Sequence, residues 1–208
     1  MKIVFASDIH GSEKYCKALL EAFEREGADK LVLLGDILYH GPRNPLPEEY
    51  NPQAVVELLS AVTDKIICVR GNCDAEIDCA LLPFPLPDYF GIFTDGLNIY
   101  VSHGHREAPP LKSGDVYITG HTHVQLNTDE DGFIHLNPGS VSLPKEDSAR
   151  GYILYENRKF SFVTLDGEKY AERDLDAPLP EPEPEENPPV VRKMPAVRRK
   201  IIKRRRII

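Results

Sequence analysis

The chain has 208 residues, 41% apolar and 28% charged, with a formal net charge of −8, enough for one α/β domain with its own core and ordinary for a soluble globular protein. Its start, Met1 to Asp8, reaches a charge too soon for a secretory apolar region or a membrane span, so a cytoplasmic address is expected. Nine Lys/Arg against four Glu from Pro178 onward make a local +5 and leave −13 for the rest, a body that repels phosphate esters unless cations sit among its carboxylates.

Lys2 to Ser7 is an apolar run that reads as a buried strand, ending in Asp8-Ile9-His10-Gly11. Ser12 is a helix N-cap and Gly27 a stop, with Tyr15, Leu19, Ala22 and Phe23 as the buried stripe between them. Lys30 to Leu34 is the next strand, ending at Gly35-Asp36. After a Pro-rich loop, Asn51-Pro52 opens a helix carrying Val55, Val56, Leu58 and Leu59. Lys65 to Val69 is a third strand, followed by Gly71-Asn72-Cys73-Asp74. Two strand-helix-strand crossovers in a row predict a parallel sheet faced by helices.

The second half reads as strands at Tyr89 to Thr94, Leu97 to Ser102, Val116 to Thr119, Val124 to Thr128, Phe133 to Leu136, Gly151 to Glu156 and Lys159 to Leu165. Asp95-Gly96 and Asn157-Arg158 are hairpin turns. An α/β front and a β-rich back predict two packed sheets with helices outside. Cys16 and Cys68 fall on apolar faces, and the four cysteines show no CxxC pair, so reduced thiols are expected. Beyond Asp176 the composition turns to Pro and Glu, then to Arg, Lys and Ile. Residues 1–176 are therefore expected to form the domain, and residues 177–208 a disordered tail.

Five separate strands each end in metal-capable side chains: Asp8 and His10, Asp36, Asn72, His103, then His121 and His123. Singly these are ordinary, since Gly35-Asp36 is turn chemistry and His-Thr-His fits a hydrogen-bonded loop. Together they place four of the seven histidines at strand ends, where ligands bind in open α/β sheets. His40 and His135 read as structural.

Asp8-Ile9-His10, Gly35-Asp36, Gly71-Asn72-Cys73-Asp74, Ser102-His103-Gly104-His105 and Gly120-His121-Thr122-His123 resemble, in order and spacing, the calcineurin-like metallophosphoesterase superfamily over about residues 1 to 165. Asp36 to Asn44 and Asn-Pro-Gly-Ser-Val-Ser at 137–142 make the chain similar to a small bacterial phosphodiesterase group within it. The resemblance implies a four-layer αββα sandwich of two mixed sheets flanked by helices. It also implies a dinuclear site: Asp8, His10 and His123 on one ion, Asn72, His103 and His121 on the other, Asp36 between them. Such a pair of ions binds a phosphoryl group and lowers the pKa of a bridging water, which would hydrolyse a small phosphodiester substrate. Oxygen and imidazole donors without thiolate suit Mn, Fe, Zn, Ni or Co, and the resemblance favours Mn.

One position departs from the pattern. Where many members have Gly-Asn-His-Asp, with the His oriented by the Asp to protonate the leaving oxygen, Cys73 precedes Asp74 here. A thiol is a poorer acid, which points to diesters with good leaving groups, or to His105 as the donor. Arg43, in the loop after Asp36, is a candidate for gripping substrate phosphate. The basic tail suits nucleic acid, an anionic membrane surface or the acidic body of a second copy, as in a homo-oligomer. A nuclease recruited by that tail is therefore the alternative enzyme. A non-catalytic scaffold, as in retromer, is the third reading, and such proteins are expected to lose ligands that this chain keeps.

Overall fold

Four apolar residues make β1 (Ile3–Ala6), and all four are buried, as in a strand covered on both faces. Ser12 caps α1 (Glu13–Glu26) by accepting the Tyr15 amide, and Gly27 ends it in the left-handed conformation at φ 60°. A cap of the Ser12 kind contributes about 1 kcal/mol. Tyr15, Cys16, Leu19, Ala22 and Phe23 are buried along one face of α1. β2 (Lys30–Leu33), α2 (Pro52–Ser60), with Asn51 as its cap, and β3 (Ile66–Cys68) follow as their sequence predicts. Of the apolar face of α2, Val55 and Leu59 are buried while Val56 and Leu58 are partly so. A six-residue helix, α3 (Glu76–Leu81), follows the third strand where no helix was expected.

β4 (Tyr89–Thr94) and β5 (Leu97–Ser102) form a hairpin across Asp95-Gly96. β6 (Val116–Ile118) runs parallel to β5, and β7 (Gln125–Glu130) pairs antiparallel with β8 (Phe133–Pro138). β9 (Gly151–Glu156) and β10 (Lys159–Thr164) form the last expected hairpin. β11 (Lys169–Asp174) pairs with β10 and was not expected. The computed structural model describes residues 1–177, in one compact unit. The basic tail, with the nucleic-acid, membrane and self-association expectations placed on it, lies outside the described residues.

The strands make two mixed sheets, β11-β10-β9-β1-β2-β3 and β4-β5-β6-β8-β7. Ile3, Phe5, Val32, Ile153 and Phe160 from the first meet Ile99, Val101, Ile118 and Leu136 from the second in the core between them. The other side of the six-stranded sheet, with Val4, Leu31 and Leu33, buries Leu19, Phe23, Val55 and Leu59 of α1 and α2. That is the helical layer present among the described residues. The outer face of the five-stranded sheet instead carries Tyr100, Tyr117 and His135, in register on adjacent strands, with Tyr117 and His135 stacked at 5.1 Å. No helix among the described residues is long and apolar enough to cross a membrane.

β1, β2 and β3 are parallel, as are β5 and β6. The chain therefore leaves these five strands at shared sheet ends, which is what gathers the loops discussed next.

Candidate metal centre

Asp8, His10, Asp36, Asn72, His103, His121 and His123 lie in the loops that leave β1, β2, β3, β5 and β6. Donor atoms of Asp8, His10 and His123 fall within 4.8 Å of one another, as do those of Asp8, Asp36 and His103. Asn72 Oδ1 is 3.1 Å from His103 Nε2. His121 stands farther out, with its ring centroid 5.1 Å from that of His103 and its amide donating to Asp8 Oδ2.

The backbone here is strained. Asp8 (φ 59°), His10 (50°), Asp36 (55°), His121 (68°) and His123 (63°) are all left-handed, a conformation that costs a non-glycine residue about 1 kcal/mol or more. Surrounding bonds hold it. The Asp8 carbonyl accepts from the hydroxyls of Ser140 (2.8 Å) and Ser142 (2.9 Å). Asn137 donates to Gly120 O at 2.7 Å and to Thr122 Oγ1 at 3.2 Å. The Asn-Pro-Gly-Ser-Val-Ser motif therefore locks the first and fifth ligand loops together, a part that its residue types alone did not assign.

Three imidazoles are fixed through Nδ1. His10 donates to Tyr39 O (2.7 Å), His103 to Leu34 O (2.6 Å) and His123 to Leu143 O (2.6 Å). A carbonyl only accepts, so each Nδ1 carries the proton and each neutral ring turns the Nε2 lone pair inward. His10 Nε2 and His123 Nε2 then face each other at 3.1 Å, and both flank Asp8 Oδ1, at 3.4 and 3.3 Å. That oxygen is fully buried and has no hydrogen-bond partner. His103 Nε2 faces Asp36 Oδ2 at 3.4 Å. Lone pairs converging on an unpartnered carboxylate oxygen require positive charge between them, so the donor set fits divalent cations.

The electrostatics agree. Burial pushes the Asp8 carboxyl up, but the facing His10 and His123 overcome it and hold the group well below the usual carboxylate range. Burial opposes charge on His103 too, yet Asp36 and Asp8 raise it to about 9. In chelated protein, protons supply the charge that a cation would bring. With a folded value near 9 against 6.5 unfolded, His103 stabilises the metal-free chain below pH 6.5 and loses that contribution as pH rises through 9. The loss is roughly 3 kcal/mol. Denaturation midpoints at pH 6.5 and 9.5 are expected to fall in chelator and to change far less with Mn²⁺ present. Equal slopes would contradict this.

Asp74 was expected at the chemistry, orienting its neighbour. Its carboxylate instead accepts three backbone amides, those of Asp36 (2.8 Å), Ile37 (2.8 Å) and Gly71 (2.7 Å). It ties the second and third ligand loops together and makes no contact of its own with Cys73 Sγ among these bonds. Asp74→Ala is expected to strand those buried amides and cost about 3 kcal/mol of stability in a urea titration. A stability within about 0.5 kcal/mol of native would refute the tether.

Cys73 lines the cleft, half-buried, with its amide donating to Asp36 Oδ1 at 2.8 Å. Burial and the nearby Asp36 push its thiol up to about 12. His105 accepts from Arg106 Nε at its Nε2, so its proton sits on Nδ1, a buried atom without a partner. Its ring centroid is 5.3 Å from that of His103, but it does not line the cleft. Arg43 does line it. His135 bonds Thr119 and Glu130 on the outer sheet face, and the His40 ring packs between Tyr39 and Tyr50. Lys145, not singled out from sequence, also lines the cleft. All four cysteines are free thiols, with Cys16 and Cys68 buried.

Comparison with known proteins shows which family this sequence and fold resemble. Residues 1–159 match the family model described as the calcineurin-like phosphoesterase superfamily domain. The chain is 43% identical over 170 residues to phosphodiesterase YfcE of Escherichia coli, covering 79% of this chain and 92% of that one. It is 26% identical over 152 residues to phosphodiesterase MJ0936 of Methanocaldococcus jannaschii, covering 67% and 83%. The solved structure of the E. coli phosphoesterase YfcE superposes with a TM-score of 0.81 at 42% identity, over 85% of this chain and all of that one.

Proposed function

We propose that this chain, which belongs to the calcineurin-like phosphoesterase superfamily, is a metal-dependent phosphodiesterase. The observation that carries the reading is the buried, unpartnered Asp8 Oδ1 ringed by inward imidazole lone pairs. The name of its E. coli relative, a phosphodiesterase, supports diesters as the substrate. Asp8, His10 and His123 would hold one ion, and Asn72, His103 and His121 the other, with Asp36 between them. Two divalent cations held there, Mn²⁺ in this reading, would supply Lewis acidity to the phosphoryl oxygens and would acidify water near neutral pH.

The chain's own residues do the rest. The backbone carbonyls of Tyr39, Leu34 and Leu143 keep three imidazoles in the one tautomer that leaves Nε2 free. Arg43 lines the cleft beside the centre, where its guanidinium can hold a phosphate group of the substrate. Cys73, with its thiol raised to about 12, keeps its proton and is a weak acid for a departing alkoxide. His105 offers Nδ1–H, yet burial and the charges of His103 and Arg106 lower its pKa below 6.5. It is therefore mostly neutral at pH 7, a hydrogen-bond donor rather than a proton donor. Diesters with good leaving groups, which need no proton, suit this centre.

The test is a screen of phosphomonoesters and diesters with Mn²⁺, Ni²⁺, Co²⁺, Fe²⁺ and Zn²⁺. Bis(p-nitrophenyl) phosphate is expected to turn over, while alkyl diesters react poorly until Cys73→His supplies an acid. Monoester turnover that outpaces every diester would sink the reading, and an unchanged alkyl-diester rate in Cys73→His would sink the leaving-group argument.

A further inference from the structure

The cleft over the metal centre has a volume of about 720 Å³, within the range of sites that enclose drug-sized ligands. The reacting phosphoryl group fills a small part of it. Two cations line the remainder, Arg43 from the loop after β2 and Lys145 from the loop after β8. Both are exposed, and neither is paired with a carboxylate among the described residues. The acidic residues lining the cleft are Asp36 and Asp74. Asp36 is engaged with His103 and the Cys73 amide, and Asp74 with three backbone amides. The charges of Arg43 and Lys145 are therefore left uncompensated inside a chain whose overall charge is −8.

The position of Lys145 is not that of a free loop lysine. Its amide donates to the His123 carbonyl at 3.1 Å, and two residues earlier Leu143 O accepts the hydrogen bond from His123 Nδ1–H at 2.6 Å. The loop that sets the His123 ring thus also sets where Lys145 leaves the backbone. Its amide bonds His123 itself, while its side chain lines the shared cleft with Arg43 and the Asn72 loop.

We infer that Arg43 and Lys145 form a second anion site beside the reacting phosphate. The substrate class is then a phosphodiester that carries a further phosphate group, such as a terminally phosphorylated nucleotide diester. This rests on the proposed phosphodiesterase function and narrows it. A single negative charge on an ordinary diester would be satisfied by the metal centre and leave this pair idle. A terminal phosphate brings about two charges and three acceptor oxygens, which match a guanidinium fork and an ammonium.

The experiment uses the metal-loaded chain and two p-nitrophenyl esters that differ in one group, those of thymidine 5′-phosphate and of thymidine 3′,5′-bisphosphate. KM is expected to be about tenfold lower for the second ester, the size of one charge-assisted contact. Arg43→Ala and Lys145→Ala should each shrink that ratio towards one. Lys112→Ala, an exposed cation before β6 at the other end of that strand, should leave the ratio intact. Calorimetric binding of thymidine 3′,5′-bisphosphate against thymidine 5′-phosphate reads the same preference without turnover. If that preference is present and lost in Lys145→Ala while neither ester is cleaved, the anion site stands and the phosphodiesterase reading fails. Equal KM and equal binding in the native chain would overturn the inference. So would a Lys145→Ala variant that raises KM equally for both esters, since both cations would then serve the reacting phosphate.

Discussion

Asp36→Asn is expected to lower phosphodiester turnover by on the order of 10³, about 4 kcal/mol of barrier, with the fold retained. The substitution is nearly isosteric. Oδ1 of Asp36 accepts the Cys73 amide at 2.8 Å, and an amide oxygen can keep that bond. Oδ2 faces His103 Nε2 at 3.4 Å and His10 Nε2 at 3.7 Å, and there the change removes the charge that lies between the two groups of donors. The variant should also hold less metal after dialysis, read by elemental analysis. Native turnover in Asp36→Asn would show that this carboxylate is not part of the chemistry.

Gly71→Ala and Gly120→Ala are expected to damage the centre by sterics alone. A Cβ on Gly71 falls on the Asp36 carboxylate and amide, and one on Gly120 falls on the Ser7 hydroxyl and 2.9 Å from Asp8 Oδ2. The carboxylates or the loops must move, at about 1–3 kcal/mol or more in a packed interior, and a shift of about 1 Å at the centre costs on the order of 10² in rate. Gly27→Ala is the control. It keeps the left-handed φ of 60° but meets nothing within 4 Å, so it should cost about 1 kcal/mol of stability. Activity within twofold of native in both Gly71→Ala and Gly120→Ala would contradict the close approach of these loops.

Gly71 and Gly120 precede proposed metal ligands, Asn72 and His121, and the pattern of strand, then Gly, then Asp, Asn or His is legible in the amino-acid sequence itself. The Ser12 and Asn51 caps and the Gly27 stop are legible too, because each is a local backbone requirement met by one side chain. α3 is not. It spans six residues, and Ala75 before it has no capping group; Asp78 reaches back to the Ala75 amide instead. β11 reads Lys-Tyr-Ala-Glu-Arg-Asp, with four charges and no apolar alternation, and forms because β10 offers it an open edge.

The seven metal-capable residues could be named because chemistry restricts which side chains hold a cation. What holds those side chains is mostly backbone. The carbonyls of Leu34, Tyr39 and Leu143 fix the imidazoles, and any residue could supply them, so no residue type marks them. Asp74 looked catalytic for the opposite reason. It is a carboxylate in a motif of catalytic character, and only the three amides around it reveal a tether. Lys145 was overlooked because nothing in Leu-Pro-Lys-Glu-Asp separates it from a solvated turn.

The most direct test is a Mn²⁺ titration of chelator-treated protein, following hydrolysis of bis(p-nitrophenyl) phosphate. Activity absent at the start should appear with the metal and saturate near two equivalents per chain, and His10→Ala should fail to reach it. Full hydrolysis in chelator, or none with any divalent metal in a folded chain, would contradict a metal-dependent phosphodiesterase built on Asp8, His10, Asp36, Asn72, His103, His121 and His123.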